Sequence, residues 1–372
     1  MKFIFTCGGT AGHINPAVAV AGKLKELMPD TEILFIGANN KMEMQLVPRE
    51  GYEIKGISVG NLRRSFSPEA IAHNFNSVKN VFVSYFDAKR IIKEFKPDAV
   101  IGTGGYVCFP VLSAASDLKI PTIVHESNAV PGLTTKMLAN KASRILVGFE
   151  ESRNYYKRPE KIEVTGTPVR GAFDAYTKAE ARAKLGLAEG EKLVVSVWGS
   201  LGAGHLNAIM KEMIPMLDGK QGFRFVHAAG SAYYKNVMAA LAPCTDKFDA
   251  MGVEVREYIY DMPCLMAAAD LVLCRAGAST ISELCYMGKP VIMVPSPNVT
   301  NNHQEKNARV LENAGGAKIL LEGEFNAASL LEDIKLLLAD EEKLNTMSAA
   351  MTSLAVPEAT DRICEIILEQ LK

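Results

Sequence analysis

The chain has 372 residues, with 48% hydrophobic and 22% charged. That length exceeds the ~100–200 residues of one domain, and the mix is that of an ordinary globular protein, which excludes disorder and collagen-like repetition. Lys and Arg number 41 against 42 Asp and Glu, so the net charge of -1 gives no general case for nucleic acid.

The apolar runs in chain order predict strands alternating with helices. Residues 2–7 read as a buried strand, followed by a glycine turn and a helix from Pro16 to Met28 with proline in its first turn. Further strands are predicted at 32–37, 98–103, 121–125 and 144–148, then at 192–198, 223–229, 253–259, 270–275 and 290–295. Strands separated by helices imply parallel sheets with right-handed crossovers. The expected fold class is α/β, with two Rossmann-like parallel-sheet lobes facing a central cleft. Gly and Pro interrupt the pattern at Val164–Arg170. The lobes are therefore set at 1–164 and 165–352, with a final helical segment, 353–372, whose candidate docking partner is the first lobe. The seven cysteines form no C-x-x-C pair and mostly lie in apolar runs, as reduced core thiols do. No signal-peptide core follows Met1, and no run of 18 apolar residues occurs.

Three glycine turns follow predicted strands: Gly8-Gly9-Thr10-Ala11-Gly12-His13, Gly102-Thr103-Gly104-Gly105-Tyr106, and Gly199-Ser200-Leu201-Gly202-Ala203-Gly204. None is G-x-G-x-x-G or a Walker A loop. Next to a helix start, such turns suit phosphates and sugar hydroxyls; they equally serve tight strand–helix packing. Ala11–Asn15 and Ala203–Asn207 share four of five letters, placing His13 and His205 in parallel positions. A fourth turn runs from Cys274 to Leu284. Ser279 and Thr280 are candidate helix caps there. Glu283 reads either as a ligand for a ribose diol or as a capping-box glutamate. His303 and Gln304 open a later helix, as sugar-reading side chains or as solvated cap residues.

These segments, with His125-Glu126-Ser127-Asn128 and Thr167-Pro168-Val169-Arg170, occur in an order that resembles the MurG family of bacterial glycosyltransferases over nearly the whole chain. The resemblance implies a GT-B fold. It implies inverting transfer of N-acetylglucosamine from UDP-N-acetylglucosamine to the muramoyl 4-hydroxyl of lipid I, giving lipid II at the cytoplasmic face of the membrane. It also implies donor-binding positions. Thr10, Ala11 and Gly12 would line the sugar and diphosphate, with Ala11 standing where the family often has glycine. Asn128 would touch the sugar, and Arg170 and Ser200 the diphosphate end. Ile259 would meet uracil through its backbone. The turn formed by Ala278, Ser279, Thr280, Ile281, Ser282 and Glu283 would hold phosphate and ribose, and Gln304 the sugar hydroxyls.

An inverting transfer needs a base. His13 is the candidate, read alternatively as a packed or capping histidine; His205 is its rival. Glu126 and Tyr106 are acceptor-side candidates. No Asp-x-Asp pair occurs, so neither an obligatory metal nor another cofactor is expected. Leu62, Arg63, Arg64 and Phe66 form a candidate patch for an anionic membrane surface. The apolar stripe Phe75, Val78, Phe82 and Tyr85 or Phe86 that follows is more commonly core. The rival functions are another UDP-sugar glycolipid glycosyltransferase, a nicotinamide oxidoreductase, which would want G-x-G-x-x-G, and a non-catalytic nucleotide-sugar-binding protein.

Overall fold

The structure is a computed structural model that describes residues 1–59, 68–299 and 302–371, with side chains from Phe82 onward in the helix that begins at Pro68. Leu62, Arg63, Arg64 and Phe66 lie outside the described residues. The chain divides into two compact units. One comprises Met1–Arg170 and Val356–Lys372, the other Gly171–Ala355.

The first unit is built on seven parallel strands: β1 (Lys2–Thr6), β2 (Glu32–Ala38), β3 (Glu53–Ile57), β4 (Ala99–Gly102), β5 (Thr122–Glu126), β6 (Arg144–Val147) and β7 (Ile162–Val164). Their spatial order is β3-β2-β1-β4-β5-β6-β7. Apolar residues alternate in their facing. Ile4, Val100 and Val124 join one buried cluster, under the Pro68–Phe95 and Cys108–Asp117 helices. Phe3, Phe5, Ile101 and Ile123 join another. That second cluster is covered by the Ala11–Leu27 helix and by the Ala359–Glu369 helix, whose Ile363, Ile366 and Ile367 are fully buried. The salt bridge Lys23–Asp361, 3.0 Å, ties the same two helices at the surface.

The second unit has six parallel strands: β8 (Lys192–Val197), β9 (Phe223–Ala228), β10 (Val253–Arg256), β11 (Leu271–Cys274), β12 (Val291–Met293) and β13 (Ala317–Ile319). Their order is β10-β9-β8-β11-β12-β13. In both sheets the sequence runs outward in one direction from the first strand and then resumes on that strand's other side. The reversal lies between β1 and β4 in the first unit and between β8 and β11 in the second.

Three details differ from the sequence reading. The unit boundaries fall after Arg170 and Ala355 instead of after 164 and 352. Thr165 donates its backbone N–H to Val147, and the Gly166 carbonyl meets His125 Nε2 at 2.9 Å, so this stretch belongs to the first sheet. The first helix starts at Ala11, which puts Pro16 inside it, not in its first turn. There the missing N–H leaves the helix without a bond from residue 16 to the Gly12 carbonyl. The strands β3, β7 and β13 were not anticipated; each is a short edge strand. Among the described residues no helix is long and apolar enough to cross a membrane.

Truncating a buried Ile in a packed core costs about 2–5 kcal/mol. Ile367→Ala should therefore lower the stability of the first unit by that amount, read as an earlier unfolding transition in urea. The second unit's transition should stay in place.

Candidate functional site

In an open parallel sheet the loops on either side of the strand-order reversal must diverge, and they leave a crevice at the carboxyl ends of the strands. All four glycine turns occupy such positions. Gly8–His13 follows β1 and Gly102–Tyr106 follows β4; Gly199–Gly204 follows β8 and the turn before Ala278 follows β11.

In the first unit the two turns are laced together. Gly8 donates its backbone N–H to Gly104 at 3.2 Å, and the Thr103 hydroxyl donates to the His13 carbonyl at 2.6 Å. A Cβ at Gly104 would lie 2.4 Å from the His13 ring, so this glycine makes room for an imidazole and not for a ligand. His13 Nδ1 sits 2.8 Å from the Gly8 carbonyl oxygen. A carbonyl only accepts, so Nδ1 carries the proton, and Nε2 of the neutral ring is left as an acceptor. Thr10 is exposed, while Ala11 and Gly12 are half-buried at the helix start. The first backbone N–H groups of that helix have no partner within it. Tyr106 is exposed.

Glu126 is buried at the end of β5. Its Oε1 accepts from the backbone N–H of Asn128, 3.1 Å, and from Asn128 Nδ2, 2.9 Å. Its Oε2 accepts from the Gly132 N–H, 2.9 Å, and the Thr135 hydroxyl, 2.8 Å. The carboxylate therefore organises its own loop and fixes the Asn128 side chain. Arg170 pairs with Glu50 at 3.2 Å. His125, fully enclosed, has its pKa lowered by burial.

In the second unit the Gly199–Gly204 turn rests on a buried relay. Asn207 Nδ2 donates to the Ala229 carbonyl at 2.8 Å. Its Oδ1 must then accept from His227 Nε2, 2.9 Å away, and His227 Nδ1 accepts from the Ser196 hydroxyl at 3.1 Å. Every group is satisfied with a neutral ring, and burial drives the His227 pKa down to about 3. His205, by contrast, is exposed. The shared letters of the two loops thus hide different surroundings, since only His13 is locked to its own turn. Ser200 lends its carbonyl to the Ser231 N–H, and Ile259 is buried, while the rings of its chain neighbours Tyr258 and Tyr260 pack on each other with centroids 4.8 Å apart.

The helix after β11 runs from Ala278 to Tyr286, and its N-cap is Gly277, which offers no capping side chain. Ser279 and Thr280 are therefore first-turn residues and not caps, a correction to the sequence reading. Glu283 is likewise outside a capping box, which would require Thr280 at the cap. It is 7% exposed. Ser279 Oγ is buried without a hydrogen-bond partner. Ser282 bonds back to the Ala278 carbonyl at 3.2 Å, and Ile281 turns its backbone N–H to Gly277 at 2.9 Å. Arg275, just before the turn, holds the Val294 and Pro295 carbonyls and pairs with Glu322. Gln304 Oε1 accepts from the Ser296 N–H at 2.9 Å, which orients its side-chain amide.

Sequence reasoning passed over Glu43. This carboxylate is completely buried and accepts from the backbone N–H groups of Gly9, 3.0 Å, and Ala38, 2.9 Å. A single Glu in a Met-rich stretch carries no pattern that marks it. Among the described residues, no group of three or more His, Cys, Asp or Glu is placed to hold a metal ion.

Residues 3–147 match the family model of the glycosyltransferase family 28 N-terminal domain, and residues 193–363 that of its C-terminal domain. The chain is 44% identical to the UDP-N-acetylglucosamine--N-acetylmuramyl-(pentapeptide) pyrophosphoryl-undecaprenol N-acetylglucosamine transferase of Acetivibrio thermocellus, covering 100% of this chain and 99% of the relative. It is 41% identical to the protein of the same name from Caldanaerobacter subterraneus subsp. tengcongensis, covering 99% of each. The crystal structure of Acinetobacter baumannii MurG superposes with a TM-score of 0.71 at 27% identity, covering 99% of both chains.

The folded-state pKa of His227 lies below the unfolded value of ~6.5, so the unfolded chain binds the extra proton between these values. The stability of the neutral ring is complete above pH ~6.5 and is lost as pH falls toward about 3. His227→Gln should be less stable than wild type at pH 7.5. Its urea midpoint should also drop less between pH 7.5 and 5, measured side by side.

Proposed function

The chain belongs to glycosyltransferase family 28, and from that membership we infer that it transfers N-acetylglucosamine from UDP-N-acetylglucosamine to the undecaprenyl-pyrophosphoryl N-acetylmuramyl-pentapeptide, lipid I, to give lipid II. The observation that carries the reading is the helix start at Ala278. An uncapped first turn, a buried hydroxyl on Ser279 and the enclosed carboxylate of Glu283 suit a nucleoside diphosphate. The N–H groups and the positive end of the helix macrodipole match phosphate. Ser279 supplies one more donor, and Glu283 an acceptor for ribose hydroxyls. In the same unit Gln304 Nε2 serves the sugar, Ser200 the diphosphate end, and the backbone at Ile259 the uracil.

The chemistry is a single displacement. The acceptor hydroxyl oxygen attacks the anomeric carbon while His13 Nε2 takes its proton. The bond between that carbon and the diphosphate oxygen breaks, and UDP leaves with the electron pair. The N-terminus of the Ala278–Tyr286 helix meets the charge that develops on it. No metal enters this scheme, and the sequence contains no Asp-x-Asp pair to hold one. The fixed Nδ1–H tautomer supports His13 in this role over His205. Glu126, with four donors on its carboxylate, acts by shaping the Asn128 loop, and Tyr106 remains a candidate for contact with the acceptor.

The helix that ends at Phe95 supports a reading of membrane attachment. Ser84, Ala88, Ile91 and Ile92 face the core, whereas Phe82 and Phe86 are 65% and 64% exposed. The apolar stripe read as core from the sequence therefore points outward at these two positions. Lys89, Arg90 and Lys93 lie beside Phe86, although Asp87 and Glu94 partly offset Arg90. Exposed aromatics among basic groups suit an anionic lipid surface, which supports peripheral binding to a membrane.

Incubation with UDP-N-acetylglucosamine and a lipid I analogue should add one N-acetylhexosamine to the acceptor, detected by mass spectrometry. His13→Gln should lower kcat by ~10²–10⁴-fold with UDP affinity unchanged, while His205→Gln should have little effect. Sugar transfer only to other glycolipids would redirect the assignment of the acceptor. For the membrane, Phe82→Ser combined with Phe86→Ser should reduce co-sedimentation with phosphatidylglycerol vesicles several-fold and spare UDP binding. Unaltered sedimentation would move the contact elsewhere.

A further inference from the structure

We propose that Glu43 is the positioning residue that sets the tautomer and aim of His13, acting through the peptide group that joins Gly8 to Gly9. The proposal rests on the reading of His13 as the proton acceptor. A trans peptide is planar, with its C=O and N–H pointing in opposite directions. Here both ends of one such plane are engaged. On one side the Gly9 N–H donates to Glu43 Oε2 at 3.0 Å; on the other the Gly8 oxygen accepts from His13 Nδ1 at 2.8 Å. The line of contacts runs from carboxylate through peptide to imidazole.

This peptide needs an external hold. Turning the plane over changes only ψ of Gly8 and φ of Gly9, and Gly9 already sits at φ +88°. Glycine offers little steric resistance to either orientation. After such a turn the carbonyl would face the carboxylate, acceptor against acceptor, and His13 Nδ1 would face an N–H. The Glu43 oxygen on this side accepts an N–H and has nothing to gain from a carbonyl, so Glu43 selects the orientation seen. Glu43 is itself fixed. Its Oε1 takes the Ala38 N–H, it is fully buried, and it fills space that two glycines leave open. A Cβ at Gly8 would come within 2.6 Å of Oε1, and one at Gly37 within 2.6 Å of Cγ. The two backbone donors satisfy both oxygens of this buried side chain. The nearby thiols of Cys7 and Cys108 are pushed up by burial and stay protonated. With the Gly8 carbonyl held toward Nδ1, the His13 proton stays on that nitrogen and Nε2 keeps its lone pair.

The test is Glu43→Gln in the full chain. The amide has the same shape, but its NH2 group must face one of the two backbone donors. Nitrogen-15 shifts of labelled histidine, with His13 assigned from the spectrum of His13→Gln, should show Nδ1–H in the wild type. In Glu43→Gln the signal should move toward the Nε2–H form. kcat for sugar transfer should fall by roughly 10²-fold, the lower end of what an oriented base contributes. UDP affinity by calorimetry should be unchanged. An unaltered tautomer, a wild-type kcat, or a loss of UDP affinity matching the loss of kcat would each overturn the proposal. If Glu43→Gln does not fold, Glu43→Asp draws the carboxyl back by one methylene and is read by the same measurements. If wild-type protein transfers no sugar, the functional reading fails, whereas the nitrogen-15 result still decides whether Glu43 governs the His13 tautomer.

Discussion

Parallel pairing with a reversal of strand order is the constraint on which the rest of this molecule depends. Once β4 joins the far side of β1, and β11 the far side of β8, the turns leaving those strands must part. The helices that follow them then begin at the same edge of the sheet. Their first N–H groups have no partners within the helix. Chemistry that recognises anions and hydroxyls is thus concentrated at one edge of each sheet before any side chain is chosen. The side chains refine it, with an imidazole at one reversal and a carboxylate and a hydroxyl at the other.

The parts legible in the sequence were those with a strong local signature. Interior strands such as β4, β11 and β12 are continuous apolar runs, because both faces are covered. The strands β3, β7 and β13 lie at sheet edges, and their polar interruptions (Lys55, Glu163, Lys318) erase that signature. The glycine turns were legible as turns, yet their purpose was only partly so. Gly8, Gly37 and Gly104 are small to admit Glu43 or His13, which are protein atoms and not ligand. Likewise the outward face of Phe82 and Phe86 carries the same letters as a core stripe. Only the packing of Ser84 and Ala88 against the sheet side tells which way the helix is turned.

The two histidine-bearing loops show how far shared letters can mislead. Asn207 is enclosed and tied to His227, so the second loop is braced from below, while its own histidine is left in solvent. In the first loop the histidine itself is the brace, bonded to the turn that precedes it. The same pentapeptide pattern therefore puts its conformational order on different residues in the two units. What decides is the neighbouring strand's turn: Gly104 lies against the His13 ring, whereas Gly202 packs on the Ala229 carbonyl.

The first unit is discontinuous in the chain, since its second sheet face is closed by a helix that begins at Ala359. A ribosome makes the chain in the N-to-C direction, so the unit begun first cannot be finished until the segment after Val356 has emerged. The second unit, continuous from Gly171 to Ala355, has all its residues available earlier. Domains fold as units once their residues are present. The order of maturation is therefore the reverse of the order of appearance. During that interval the apolar surface around Val20 and Leu24 is without its final cover, a period in which chaperones and proteases have access to it.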